Sequence, residues 1–237
     1  MNICVIPARG GSKRIPRKNI KSFCGQPMIA YSIVSALESK IFDHIIVSTD
    51  DDEIAEVSLK YGASVPFIRP ENLSDDYTTT TDVIAHALSW VQKNIGNVKF
   101  ICALYATAPF TTSKDLISAY EEISKNKDCH VVFPIVEFDF PIQRAIKLTD
   151  DGSVKMFQPK HLLTRSQDLE KAYHDAGQFY WGTSKAFINK YEMFSFGSLP
   201  VVIPRYLTQD IDTLEDWEFA EVIFRVLTMS DKGGTID

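Results

Sequence analysis

Short β-rich apolar runs alternate with stretches of helical periodicity along most of this chain, and no other feature constrains its fold as much. Residues 3–7 read as a buried strand. Residues 28–39 follow as a helix, with Ile29, Ile33 and Leu37 at spacings of four. Residues 44–49 are a strand, 51–61 a helix closed by Gly62, and 65–68 a weaker strand. The spacing then predicts a helix over 81–94, a strand over 100–105, a helix capped by Ser113 and running through Ser124, and a strand over 129–136. Strands alternating with helices imply βαβ units, hence an α/β fold with a mainly parallel sheet that places ligands at the carboxyl ends of its strands.

The alternation fails between Glu137 and Phe196. A turn signal at Asp150-Asp151-Gly152 and a run of aromatics (Phe157, Tyr173, Phe179, Tyr180, Trp181) predict an inserted β-rich subdomain there. Residues 200–204 then form a strand and 213–227 an amphipathic helix. The reading is therefore one domain over 1–229, with an insert at about 137–196 and a loose tail over 230–237. A chain of 237 residues accommodates one such domain.

Charge is distributed unevenly. No Asp or Glu precedes Glu38, while Arg9, Lys13, Arg14, Arg17, Lys18 and Lys21 all do; a net charge of −6 thus divides into +6 for residues 1–37 and −12 for the rest. The overall acidity argues against nucleic acid as the main partner, and the concentrated cations argue for a bound anion. These cations lie in the loop after the first strand, where an open α/β sheet places its phosphate site. Gly10-Gly11 admits backbone N–H groups to phosphate oxygens, and Arg9, Lys13 and Lys18 supply charge suited to a triphosphate. The loop is neither a GxxxxGK[ST] nor a GxGxxG motif, and a solvated basic loop, or a nuclear-localisation patch over Lys13 to Lys18, is the competing reading.

Asp210 and Asp212, two apart in an extended segment, can face one cation, and hard oxygen ligands near a triphosphate suit Mg²⁺. Alternatively Asp212 caps the last helix with Glu215 as its partner. Leu104-Tyr105-Ala106-Thr107-Ala108-Pro109-Phe110 ends a central strand and enters a loop, which brings its backbone and Thr107 to the ligand side, while an ordinary strand-to-helix turn explains Pro109 equally well. The five histidines show no HxxxH or HExxH spacing; His174 is a pocket residue or a structural one. Four cysteines without metal spacing read as reduced thiols. No apolar run reaches the roughly 20 residues that cross a bilayer, and no signal peptide is recognised, so a cytoplasmic protein without membrane contact is expected.

Ile6-Pro7-Ala8-Arg9-Gly10-Gly11-Ser12-Lys13 with Pro16 and Lys18-Asn19, then Ile46-Val47-Ser48-Thr49-Asp50, Arg69-Pro70 and Asp210-Ile211-Asp212-Thr213, resemble the cytidylyltransferases that make CMP-sialic acids. The resemblance implies a Rossmann-like, glycosyltransferase-A-type domain and a homodimer formed through the insert. It also implies a Mg²⁺-dependent reaction of CTP with a nonulosonic acid. Carried over by position, Ala8, Arg9, Gly10, Gly11, Ser12, Lys13, Lys18 and Asn19 would hold the nucleotide, with Thr79, Thr80, Tyr105 and Thr107. Arg9, Lys13, Asp210 and Asp212 would be catalytic, the two aspartates as metal ligands.

Where that family has Leu-Gln-Pro-Thr-Ser-Pro-Leu this chain has Tyr105 in place of the glutamine, and Gln143-Arg144 stand where a lysine is expected. These departures, with Thr164-Arg165-Ser166 and the segment from Tyr173 to Trp181, resemble the branch that activates pseudaminic acid for surface or flagellin glycosylation. Gln143, Arg144, Arg165, His174, Gln178 and Tyr180 are then the expected sugar contacts. Phe179, Tyr180 and Trp181 either line that pocket or form the core of the insert or the dimer interface. The implied chemistry is in-line attack by the sugar's anomeric hydroxyl on the α-phosphorus of CTP. Legionaminate, N-acetylneuraminate and KDO are alternative acceptors, and a nucleotide-binding protein that kept the fold without catalysis is the non-enzyme alternative.

Overall fold

The computed structural model describes residues 1–232. Strand β1 (Asn2–Pro7) leads through the cationic loop to a small hairpin, β2 (Ser22–Phe23) and β3 (Gln26–Pro27), and then to α1 (Met28–Ser39). Next come β4 (His44–Ser48), α2 (Asp52–Lys60), α3 (Thr80–Asn94), β5 (Phe100–Leu104), α4 (Ser113–Lys125) and β6 (Val131–Glu137). An antiparallel hairpin, β7 (Ile146–Leu148) and β8 (Val154–Met156), precedes β9 (Tyr173–Asp175), β10 (Phe179–Thr183), α5 (Ser184–Ile188), β11 (Ser198–Val202) and α6 (Leu214–Lys232).

The main sheet runs β11-β6-β10-β5-β1-β4, with β9 alongside the far end of β6. β1 pairs in parallel with β4 and β5, β11 pairs in parallel with β6, and β10 lies antiparallel between β5 and β6. Alternation along β1 splits the core into two layers. Cys4 and Ile6 pack with α1, α2 and α4; Ile3 and Val5 pack with α3 and α5. A third cluster, built from Ile15, Phe23, Met28, Phe110, Ile211, Trp217 and Ala220, gathers residues from both ends of the chain. It brings the cationic loop up against the segment that precedes α6.

Several local expectations change. Residues 65–68 form no strand, because the segment touches the sheet only at the isolated bridge Thr49–Ile68, with a second bridge, Ile46–Ser64, just before it. Thr112, rather than Ser113, caps α4: its hydroxyl accepts the Asp115 N–H, while the Asp115 carboxylate accepts the Thr112 N–H at 2.8 Å. The stretch expected as an insert divides in two. The β7–β8 hairpin stands outside the main sheet, whereas β9 and β10 are strands of it. β10 carries Phe179 and Trp181 into one core layer, with Trp181 stacked on Phe42 at 5.0 Å, and Tyr180 into the other. α6 continues to Lys232, past the start of the expected loose tail, and residues 233–237 lie outside the described residues.

Candidate active site

The carboxyl ends of β1, β4 and β5 converge, and the loop after β1 is fastened there by the loop after β4. Ala8 N–H donates to the Ser48 carbonyl at 2.9 Å, and Gly10 N–H donates to Asp50 Oδ1 at 3.0 Å. A β-carbon at Gly10 would lie 2.7 Å from Asp51 Oδ2, so glycine is required by close packing there, whereas nothing lies within 4 Å of one at Gly11. Asp51 caps α2 by accepting the Ile54 N–H at 3.0 Å and takes Arg17 in a bidentate pair at 2.5 and 2.9 Å. That guanidinium holds the Asp51 carboxyl below the usual carboxylate range. Arg17 also meets Glu53. Between these charged anchors, Ile15 is fully buried in the third cluster, and Asn19 Nδ2 donates to the Arg9 carbonyl at 2.9 Å.

The fastened loop forms one wall of a cleft of ≈ 550 Å³. Of the expected nucleotide residues, Arg9, Ser12, Lys13, Lys18, Asn19, Thr80, Tyr105 and Thr107 line it, as does Asp212. Ala8 is buried and Gly11 exposed, and neither belongs to the lining; the Gly10 N–H is already taken by Asp50. Thr79 caps α3, accepting the Asp82 N–H at 3.2 Å. Tyr105 holds its place by donating its N–H to the Gln178 carbonyl and by accepting from Ser32 Oγ at 2.8 Å. Its hydroxyl is 3.4 Å from Thr80 Oγ1.

The cations are isolated from acids in sequence but not in space. Asp76 meets both Arg9, at 2.8 Å, and Lys13. Asp212 meets Arg14 at 2.8 Å and Lys18 at 3.5 Å, and Lys18 also donates to the Ile211 carbonyl. The loop is therefore an ion-paired surface rather than a bare positive one.

The capping alternative for Asp212 does not hold. α6 is capped by Thr213, whose hydroxyl accepts the Asp216 N–H at 3.2 Å, while Asp216 accepts the Thr213 and Asp212 N–H groups at 2.7 and 3.0 Å. The Asp212 carboxylate is thus turned to the cleft. Asp210 is exposed and outside the lining. Among the described residues no group of three or more potential ligands gathers for a metal. A divalent cation held mainly by phosphate oxygens needs only one or two protein carboxylates, and Asp212 fits that requirement.

The expected sugar contacts lie beyond the cleft lining. Arg144 reaches Ser166 Oγ at 3.3 Å and Arg165 pairs with Asp168 at 3.1 Å, so both arginines lie close together on the exposed arm before β9. Gln143 donates to the Glu170 carbonyl at 2.9 Å. His174 is exposed, with its ring against Phe138 at 4.9 Å. Tyr180 donates to Asp175 and packs beside Tyr105 at 5.8 Å, linking β10 to the cleft wall. Gln178 is buried and fully engaged: its amide donates to the Leu207 carbonyl at 2.5 Å and accepts from Thr111 at 3.3 Å.

Arg14, Arg69, Asp75 and Asp76 line the cleft without having been singled out as site residues. Arg69 is the most constrained. Its side chain is 4% exposed, it lies 3.5 Å from Asp50, its Nε is buried without a partner, and burial pushes its pKa down. The only signal for it in the sequence was the Arg69-Pro70 pair.

A family model described as cytidylyltransferase matches residues 3–217. A pseudaminic acid cytidylyltransferase of Campylobacter jejuni subsp. jejuni is 52% identical over 225 residues, covering 95% of this chain and 97% of that protein. A Helicobacter pylori protein that combines pseudaminic acid cytidylyltransferase with UDP-2,4-diacetamido-2,4,6-trideoxy-beta-L-altropyranose hydrolase is 35% identical over 209 residues, 88% of this chain and 40% of its own. In fold, the chain is similar to a solved CMP:2-keto-3-deoxy-manno-octonic acid synthetase complexed with CTP. The TM-score is 0.70 at 16% identity, with 95% of this chain and 99% of that one covered.

Proposed function

The chain belongs to the cytidylyltransferase family, and on that premise we propose that it transfers CMP from CTP to pseudaminic acid, a 5,7-diacetamido nonulosonate, releasing pyrophosphate. The observation that carries the reading is end-to-end similarity to the Campylobacter jejuni enzyme combined with a cation-walled cleft at the carboxyl ends of β1, β4 and β5. The anomeric hydroxyl oxygen attacks the α-phosphorus and gives up its proton to solvent, the bond from that phosphorus to the bridging oxygen breaks, and pyrophosphate leaves. Such a transfer asks the protein for positioning and charge neutralisation. Arg9, Lys13 and Lys18 exchange their carboxylate partners for phosphate oxygens, and Arg69 offers a buried, charged donor at the cleft. Asp212, with Asp210 two residues earlier, would hold Mg²⁺, which neutralises phosphate charge when bound. Arg144 and Arg165 are suited to the sugar carboxylate. The decisive assay is pyrophosphate release from CTP and Mg²⁺ with pseudaminate, N-acetylneuraminate or KDO supplied separately. Release with none would refute the enzyme reading, and preference for N-acetylneuraminate would refute the substrate.

The arm before β9 supports a homodimer. Phe140, Leu148 and Leu163 are 82%, 78% and 92% exposed, an apolar surface that a second copy would cover. Leu163→Glu should shift the sedimentation coefficient to that of a monomer; an unchanged value rejects this interface. Four free cysteines, three of them buried, support a reducing cytoplasmic setting. There the product would serve glycosylation of surface proteins such as flagellin.

A further inference from the structure

Arg9 and Lys13 converge on one carboxylate. Asp76 Oδ1 lies 2.8 Å from Arg9 Nη1, and Asp76 Oδ2 accepts from Lys13 Nζ. Two oxygens of one anionic group on two cations are the contacts that two phosphate oxygens would make. The segment presenting Asp76 is built for this. Asp75 Oδ1 accepts the N–H groups of Tyr77 and Thr78 at 3.0 and 2.7 Å and the Thr78 hydroxyl at 2.7 Å, closing a tight turn just before α3. The same turn offers the Asp75 carbonyl to Arg9 at 2.7 Å. Lys13 holds the Asp76 carboxyl below the usual carboxylate range, so it is ionised throughout the neutral range.

Resting on the reading that this cleft receives a triphosphate, we propose that Asp76 is an intramolecular competitor for the polyphosphate seat. It pairs with Arg9 and Lys13 when the cleft is empty, is displaced by the β- and γ-phosphates of the incoming nucleotide, and retakes the two cations as pyrophosphate departs. The residue lowers affinity for CTP and for pyrophosphate alike, which lets a strongly cationic cleft release a strongly anionic product. Both pairs are solvent-exposed, which limits the competition to a modest factor.

The test is equilibrium titration of the full chain with Mg²⁺-pyrophosphate, Mg²⁺-CTP and uncharged cytidine, together with pyrophosphate inhibition of turnover. Asp76→Asn should tighten CTP and pyrophosphate about three- to tenfold, leave cytidine unchanged, and lower the inhibition constant of pyrophosphate by the same factor. Glu71→Gln removes an equal charge from the same segment without touching the cations, and should leave all three affinities as they are. The proposal fails if Asp76→Asn leaves polyphosphate affinity unchanged or weakens it, if cytidine tightens equally, or if Glu71→Gln reproduces the gain. A wild-type chain that binds no CTP overturns the functional reading itself, a result distinct from any of these.

Discussion

Gly10 and Gly11 are adjacent and interchangeable by sequence pattern, yet alanine at the two positions should have separable consequences. At Gly10 the new β-carbon would meet Asp51 Oδ2 at 2.7 Å, Asp51 Cβ at 3.1 Å and Asp51 Cγ at 3.2 Å. Asp51 cannot retreat freely, because it caps α2 through Ile54 and holds Arg17 in the bidentate pair. Either the cap and ion pair yield or the cationic loop lifts. Loss of a cap costs about 1 kcal/mol and local overpacking about 1–3 kcal/mol, so Gly10→Ala should destabilise by about 1–3 kcal/mol. For a chain of this size that lowers Tm by roughly 2–12 °C. A loop displaced by about 1 Å should also cost on the order of 10²-fold in kcat/KM. At Gly11 the added carbon meets nothing within 4 Å, and the backbone is outside the positive-φ region. Gly11→Ala should therefore keep stability within about 0.5 kcal/mol of wild type, or raise it slightly through the unfolded state. Its CTP KM should nevertheless rise if the exposed loop backbone approaches phosphate. Denaturant titration and initial-rate kinetics on both variants decide the matter. A Gly10→Ala protein as stable and active as wild type, or a Gly11→Ala protein that is markedly less stable, would refute the packing argument.

Other expectations follow from the same geometry. Asp212→Asn should lower kcat/KM on the order of 10²-fold or more while changing stability by no more than about 1 kcal/mol, since Thr213 and Asp216 keep the α6 cap; early melting with full activity would assign Asp212 a structural role. Arg17→Met should destabilise most above about pH 5. The depressed Asp51 pKa contributes stability above the unfolded value of about 3.9, and this is lost as pH falls through the folded pKa, so urea titrations should show the difference from wild type shrinking toward pH 3. Gln178→Leu should cost about 1–3 kcal/mol, because the Thr111 hydroxyl and the Leu207 carbonyl lose their partner; a raised sugar KM at unchanged stability would mark Gln178 as a substrate contact instead.

Much of this protein was readable from residue order because the responsible physics is local. Apolar runs such as Ile3-Cys4-Val5-Ile6 are buried on both faces, and periodic apolar spacing announced α1, α3 and α4. The weak prediction at 65–68 failed because a strand needs a ladder, and only one isolated bridge, at Ile68, reaches that segment. The antiparallel β10 was not anticipated, since an aromatic run such as Phe179-Tyr180-Trp181 has the same composition in a pocket wall and in a core strand. Gln178 stood among the expected sugar contacts because its motif placed it there, and only packing shows both ends of its amide in use.

The sequence by itself determined the α/β class, the position of a cationic loop after the first strand, and the identity of the cations in it. Composition, periodicity and glycine placement act over a few residues, so they survive in the linear order. Only the tertiary structure decided which acids face those cations. Asp76 and Asp212 lie 63 and 194 residues from Lys13 and Lys18, respectively, and no local rule joins them. The burial of Ile15 with Ile211 and Trp217 folds the two ends of the chain together. The +6 segment then shares one cleft with part of the −12 remainder, and charge that looked segregated along the chain is paired in space.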